Sequence, residues 1–415
     1  MKKMAVILLA LLLGSPGNSG AAGTVTEWRG AWGHPPTRHN NLPAVIRPDG
    51  SSASRVFAPL PAYRGTTVRQ MVRLSAGARA IRLRFSNELG ADAIHLGAVR
   101  IALAANDGSS VPGTDHAVTF SGQTTARIPP GAPLLSDAIT WPLPAFVSLA
   151  VSVYYPAETL PPAHTLFTLQ AWQAPGDHTA SPSLPSPLVA RSGTHLSQID
   201  ILPVRPGDTL VTFGDSITEG VASTIGAYRS WPDRLSERLQ AREATRGWSI
   251  VNAGMGSNRL LHDTPSTNAL SRFDRDVLAV PGVKAVIVLL GINDIQYSRR
   301  DPREAVSAGD MIAALRQLID RAHAANIRIF GGTITPFEGS SDYTPEGEAA
   351  RQTVNDFIRS GAFDGFVDFD AVLRDPDKPT RLRASVESNG HLHPNDEGYR
   401  LMGDAIDLSL FARVR

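Results

Sequence analysis

Ser216 sits where a serine can act as a nucleophile. The stretch Thr212-Phe213-Gly214-Asp215-Ser216-Ile217-Thr218-Glu219-Gly220 follows the apolar run Asp208–Thr212, so a buried strand is expected to end in a tight turn that presents the hydroxyl. Gly214 permits the turn. The helix expected to follow would aim its first N–H groups at an anion formed beside the serine. A serine after a strand also commonly caps a helix, and the motif by itself leaves both roles open.

Three further stretches offer partners. Val251-Asn252-Ala253-Gly254-Met255-Gly256-Ser257-Asn258-Arg259 is a glycine-containing turn after a strand, able to point backbone N–H groups into a site or simply to reverse the chain. Gly291-Ile292-Asn293-Asp294 ends a long apolar run. An Asn amide is an uncharged donor suited to a developing oxyanion, where it contributes about 3–4 kcal/mol, although Asn and Asp also make Asx turns. Near the C-terminus comes Gly390-His391-Leu392-His393-Pro394-Asn395-Asp396-Glu397. The residue before a proline is held extended, and histidine is the usual general base for a serine hydroxyl. Two histidines at i and i+2 also raise a metal site, but no cysteine and no clear third ligand accompany them, so no metal is expected.

The elements that must position these residues are legible as a change of pattern at Asp208. From there strand-length apolar runs (209–213, 249–252, 283–290, 327–331, 365–369) alternate with helical stretches (230–242, 303–325, 345–359). That alternation implies an α/β domain with a parallel sheet between helices. Sites in such sheets form at the C-terminal ends of strands, where Ser216, Gly254 and Asn293 fall. Residues 24–173 read as a β-sandwich of jelly-roll type, with period-two alternation clearest at Ala80-Ile81-Arg82-Leu83-Arg84-Phe85-Ser86. Residues 174–207, rich in Pro and Ser, read as a linker before the α/β domain of 208–415.

In order and spacing, Phe213-Gly214-Asp215-Ser216, Gly291-Ile292-Asn293-Asp294 and His393-Pro394 resemble the blocks of the SGNH/GDSL hydrolase family. The Asn258–Leu261 run and the leading β-region resemble a secreted bacterial subgroup. The resemblance covers Asp208 to the C-terminus and implies a flavodoxin-like fold, Ser216 as nucleophile, His393 as base, and an oxyanion hole of the Ser216 and Ser257 N–H groups with the Asn293 amide. Gly254 and Gly256 are alternatives to Ser257. No cofactor is implied. The sequence departs from the family at two places. An Asp usually stands three residues before the histidine, where this chain has Gly390; Glu387 and Asp396 are candidate substitutes, and a Ser–His dyad is the other arrangement the resemblance allows. The second-block oxyanion glycine is Ser257 here. The implied activity is carboxylic-ester hydrolysis, with short acyl groups on glycans or other small esters as the first expectation. A lipolytic esterase or lysophospholipase, and a catalytically weak glycan-binding protein that has lost the acid, are the alternatives. Arg259 and His262 are candidates for the substrate rim.

Composition sets the outer bounds. The 415 residues carry 42% hydrophobic and 19% charged side chains and a formal net charge of +1, which suits two ordinary globular domains. The absence of long like-charge blocks argues against nucleic acid as a partner. Met1-Lys2-Lys3, the apolar run Ala5–Leu13 and the small residues up to Gly23 read as an export signal, residues 1–23, giving a periplasmic or extracellular protein without stable membrane insertion. The chain contains no cysteine, so an exported fold would rest on packing alone. Nothing in the sequence indicates the oligomeric state.

Overall fold

The computed structural model describes residues 27–37, 45–46, 52–53, 60–105, 107–162, 168–190, 192–264 and 267–412. The expected export signal lies outside them.

Five parallel strands form the sheet of the C-terminal half: β1 (Thr209–Gly214), β2 (Ser249–Gly254), β3 (Val283–Leu289), β4 (Arg328–Gly332) and β5 (Phe366–Val367), in the order β2-β1-β3-β4-β5. Every residue of β1 is buried, as expected for a strand covered on both faces. Helices cover the sheet: α1 (Ser216–Glu219), α2 (Trp231–Ala241), α3 (Ile292–Arg300), α4 (Ala308–Ala324), α5 (Pro345–Arg359) and α6 (Asp396–Ala405) are those that bear on the site. Local sequence starts several of them. Ser230 with Asp233, and Ser307 with Asp310, make capping boxes at α2 and α4. The strand order reverses between β1 and β3, which is where doubly wound sheets open a crevice at their C-terminal ends. Gly214 pairs in register with Leu289 and with Gly254, so three strands end level there.

The N-terminal half holds two antiparallel sheets around a shared core of residues such as Val68, Ile81, Phe85, Ile101, Val151 and Ile199, consistent with the expected sandwich. The linker expectation is corrected. Within 174–207 lies the strand Leu196–Pro203, which pairs with both Ala78–Ser86 and Arg29–Gly33. The strand Ala171–Pro175 likewise crosses the expected boundary at 173. The Pro/Ser composition of 180–187 ends before the alternating run at Leu196, so the linker reading extended too far.

The β-module closes the outer edge of the parallel sheet. The Ser75 hydroxyl donates to the Ile250 carbonyl at 2.8 Å and accepts from the Ile250 N–H at 2.9 Å, occupying edge groups of β2 that would otherwise face a strand. The strand Arg29–Gly33 approaches β2 so closely that a Cβ at Gly33 would stand 2.4 Å from a Val251 methyl. Glycine is required there for space. Among the described residues no helix is long and apolar enough to cross a membrane.

Candidate active site

The turn after β1 separates two roles that the sequence left mixed. Asp215, in extended conformation, is the N-cap of α1, and its Oδ1 accepts from the Ile217 N–H at 2.9 Å. Ser216 is the first helical residue, so its own N–H has no partner within the helix. Its hydroxyl, released from capping, lies 2.8 Å from His393 Nε2. The helix is one turn long and closes on Gly220, which is left-handed at φ 102°.

His393 is held by its backbone. Its carbonyl accepts from the Ser388 N–H at 2.9 Å and the Ser388 hydroxyl at 3.0 Å. Among the described residues its ring makes one hydrogen bond, the one to Ser216, and Nδ1 has no partner. Burial lowers the imidazole to about 4, so the ring is a neutral acceptor at ordinary pH. The two candidate acids are corrected. Glu387 bonds His391 Nδ1 at 2.6 Å, and Asp396 binds Thr224 through both carboxylate oxygens at 2.7 Å. Neither reaches His393, because the bend Ser388–His393 turns Glu387 towards His391 and α6 carries Asp396 towards the loop after α1. Gly390, in that bend, has open space around the position of a Cβ.

Asn293 is the second residue of α3, 6% exposed, and its Nδ2 donates to the Asn258 carbonyl at 3.1 Å. Asn258 closes the turn Met255–Asn258 through its N–H to the Met255 carbonyl. Ser257, inside that turn, is left-handed at φ 59°, the conformation that explains why a glycine would be favoured there. Its N–H has no acceptor among the described residues, whereas the Gly254 N–H is committed to Asn252 Oδ1 at 2.8 Å. That removes Gly254 as a donor to substrate. Gly256 occupies the preceding corner of the same turn.

Arg259 is corrected as a rim residue. It is fully buried, bonded to Glu304 through Oε2 at 2.5 Å and through the carbonyl at 3.0 Å, with its guanidinium over the Tyr297 ring. His262 is half-buried in the following loop. Phe337, in the loop 335–344, is fully buried against Tyr343 and belongs to the core. Among the described residues no group of three or more His, Cys, Asp or Glu side chains could hold a metal ion.

Two buried ionisable residues were missed as parts of the site. Arg272 donates to the Gly214 carbonyl (2.8 Å), the Ala253 carbonyl (3.0 Å), Asn258 Oδ1 (2.9 Å) and Asp276 (3.0 Å), and lies over the Phe213 ring. Asp294 accepts from the Leu260 N–H at 2.9 Å and holds the segment after the Met255–Asn258 turn. Burial raises Asp215 to about 7 and Asp294 to about 6, and lowers Arg272 to about 10. The negative charge of Asp294 adds to the rise at Asp215, while Arg272 opposes it. In sequence Arg272 and Asp276 look like an exposed helical ion pair at i,i+4, and no local signal marks them as buried.

A cavity of ≈70 Å³ opens between the β-module and the α/β domain, lined among others by Trp32, Arg73, Phe146, Glu219, Tyr228 and Asn252. Ser216, Asn293 and His393 are not in its wall.

The family model of GDSL-like lipases/acylhydrolases matches residues 212–401. Among solved structures, this chain is similar to a proposed lipolytic protein of the G-D-S-L family from Desulfitobacterium hafniense (25% identity, 48% of this chain and 97% of that one, TM-score 0.37). It is also similar to an alpha/beta hydrolase enzyme from the metagenome of Lake Arreo (20%, 48% and 93%, 0.38) and an acetyl xylan esterase from Geobacillus stearothermophilus (22%, 50% and 97%, 0.38). No curated protein matches the chain.

Proposed function

Because residues 212–401 belong to the GDSL-like lipase/acylhydrolase family, we propose that this protein is a serine carboxylic-ester hydrolase that removes short acyl groups, acetyl foremost, from glycans or other small esters. The observation that carries the reading is the 2.8 Å contact between Ser216 Oγ and His393 Nε2. Ser216 Oγ attacks the ester carbonyl as His393 Nε2 takes its proton. The oxyanion is met by the N–H groups of Ser216 and Ser257 and by Asn293 Nδ2. Collapse expels the alcohol, which takes the proton from His393. Water, deprotonated by the same nitrogen, then releases the acid and restores the serine.

The preference for short acyl groups rests on the signal-like N-terminus and the β-module, which together suit an exported enzyme acting on acylated glycans. Its working place is the periplasm or the outside of the cell. A fluorophosphonate probe should label the wild type and not Ser216→Ala. Equal labelling of the two would overturn the assignment. Turnover of p-nitrophenyl esters of graded chain length, beside acetate release from acetylated glycans, tests the acyl preference, and faster turnover of long chains would favour the lipolytic alternative. The Nδ1 of His393, without a partner among the described residues, favours a second reading, a catalytically weak glycan-binding protein, which requires equal ester turnover by wild type and Ser216→Ala.

A further inference from the structure

The loop that follows the nucleophile, Val221–Arg229, is gripped from two sides. On one side is α6, which begins three residues after His393. Asp396, its first residue, accepts from the Thr224 N–H and the Thr224 hydroxyl, both at 2.7 Å, and lies 3.5 Å from Arg229 Nε. One turn further on, the fully buried Tyr399 donates its hydroxyl to the Val221 carbonyl at 2.7 Å. On the other side is the β-module. The Thr168 carbonyl accepts from the Gly226 N–H at 2.9 Å, and the Arg73 guanidinium sits 4.7 Å from the Tyr228 ring centre.

The loop needs this grip. Gly220, Ala222, Gly226 and Tyr228 are all left-handed, with φ of 102°, 73°, 73° and 55°. For residues with a Cβ, such as Ala222 and Tyr228, that conformation costs about 1–2 kcal/mol each. Strained conformations of this kind persist where the surroundings over-determine them. Val221 is also tied to the nucleophile, since its N–H donates to the Ser216 carbonyl at 3.0 Å.

We propose that the Thr224–Asp396 clamp is the positioning device of the Ser216–His393 pair, locking the segment that carries the nucleophile to the helix that follows the base. It rests on the serine-hydrolase reading. It supplies by backbone placement what a carboxylate on Nδ1 would supply by orienting the ring. Asp396 acts through position and not through charge on the imidazole, because it does not touch the ring and burial alone accounts for the depressed basicity of His393. Asn395, whose side chain accepts from the Gly398 N–H, is the cap of α6, so Asp396 is not needed to start the helix.

The test uses the full chain, p-nitrophenyl acetate, and thermal melts of each variant. Asp396→Ala should lower kcat by about 10- to 100-fold, the range that a displacement of about 1 Å produces, with KM changed by less than about twofold, as for a loss felt only in the transition state. Thr224→Val, which keeps the backbone bond, should lose less, and Thr224→Ser should match the wild type. Wild-type kcat in folded Asp396→Ala or Thr224→Val overturns the clamp, as does equal loss in Thr224→Ser and Thr224→Val. A wild type without Ser216-dependent turnover overturns the hydrolase reading itself, which separates the two failures.

Discussion

Arg272 and Gly214 meet just ahead of Ser216: the guanidinium Nη2 donates to the Gly214 carbonyl at 2.8 Å, two residues before that serine. The same group holds the Ala253 carbonyl at the end of β2 and Asn258 Oδ1 in the Met255–Asn258 turn. One buried cation therefore fixes the ends of two strands and the turn that presents Ser257, and through the Asn258 carbonyl it bears on Asn293.

Replacing Arg272 should damage both stability and chemistry. Lysine carries a single ammonium and cannot serve four acceptors spread around a planar fork. Arg272→Met leaves Asp276 with Arg275 alone and strips the donor from the Gly214 and Ala253 carbonyls and from Asn258 Oδ1, and each buried acceptor left unsatisfied typically costs about 1–3 kcal/mol. The denaturation midpoint should fall accordingly, and Arg272→Lys, where it folds, should still lose kcat. A variant with wild-type midpoint and turnover would remove Arg272 from this role.

Asn293→Ala should lower kcat by about 10²–10³-fold, the effect of deleting one oxyanion donor. KM should change little, because the amide is required most when charge develops on the carbonyl oxygen. Steady-state kinetics on p-nitrophenyl acetate measure this, and a loss under about tenfold would mean that the two backbone N–H groups suffice.

Gly390→Asp should raise turnover. The backbone there is not left-handed, and a Cβ meets nothing within 4 Å. His393 must be neutral to accept the serine proton, so activity is present above its pKa and lost as pH falls through about 4. A carboxylate on Nδ1 would favour the imidazolium and move that acidic limb upward. The pH profile of kcat/KM in wild type and variant tests this; an unmoved limb with unchanged kcat means that the new carboxylate does not reach the ring.

Asp215→Asn should change how stability depends on pH. The folded Asp215 pKa is raised from 3.8 to about 7. A raised pKa makes its stabilising contribution complete below the unfolded value and lost as pH rises through the folded one. Wild type should therefore lose Tm relative to Asp215→Asn between pH 4 and pH 7, since the amide keeps the cap on the Ile217 N–H and cannot ionise. Parallel Tm–pH curves would show that the carboxyl does not titrate in this window.

The sequence by itself determined the α/β half of the fold and the strand ends that carry Ser216 and Asn293. Strand periodicity, capping residues and the placement of Ser216 and Asn293 after strands are local features, readable within a few residues. It also singled out His393, whose proline neighbour restricts its backbone. The tertiary structure decided everything that depends on which charges are buried. Arg259 reads as a rim cation but is sealed against Glu304 and Tyr297, and Arg272, which no local signal marks, lies fully buried against the Met255–Asn258 turn. Glu387 and Asp396 are close to His393 in sequence, yet one faces His391 and the other Thr224. Burial and side-chain direction arise from contacts between distant segments, and a carboxylate near a histidine in sequence has no fixed distance from its ring until the loop between them is packed. The strand Leu196–Pro203 makes the same point for the fold, because its partners Ala78–Ser86 and Arg29–Gly33 lie more than a hundred residues away in the chain.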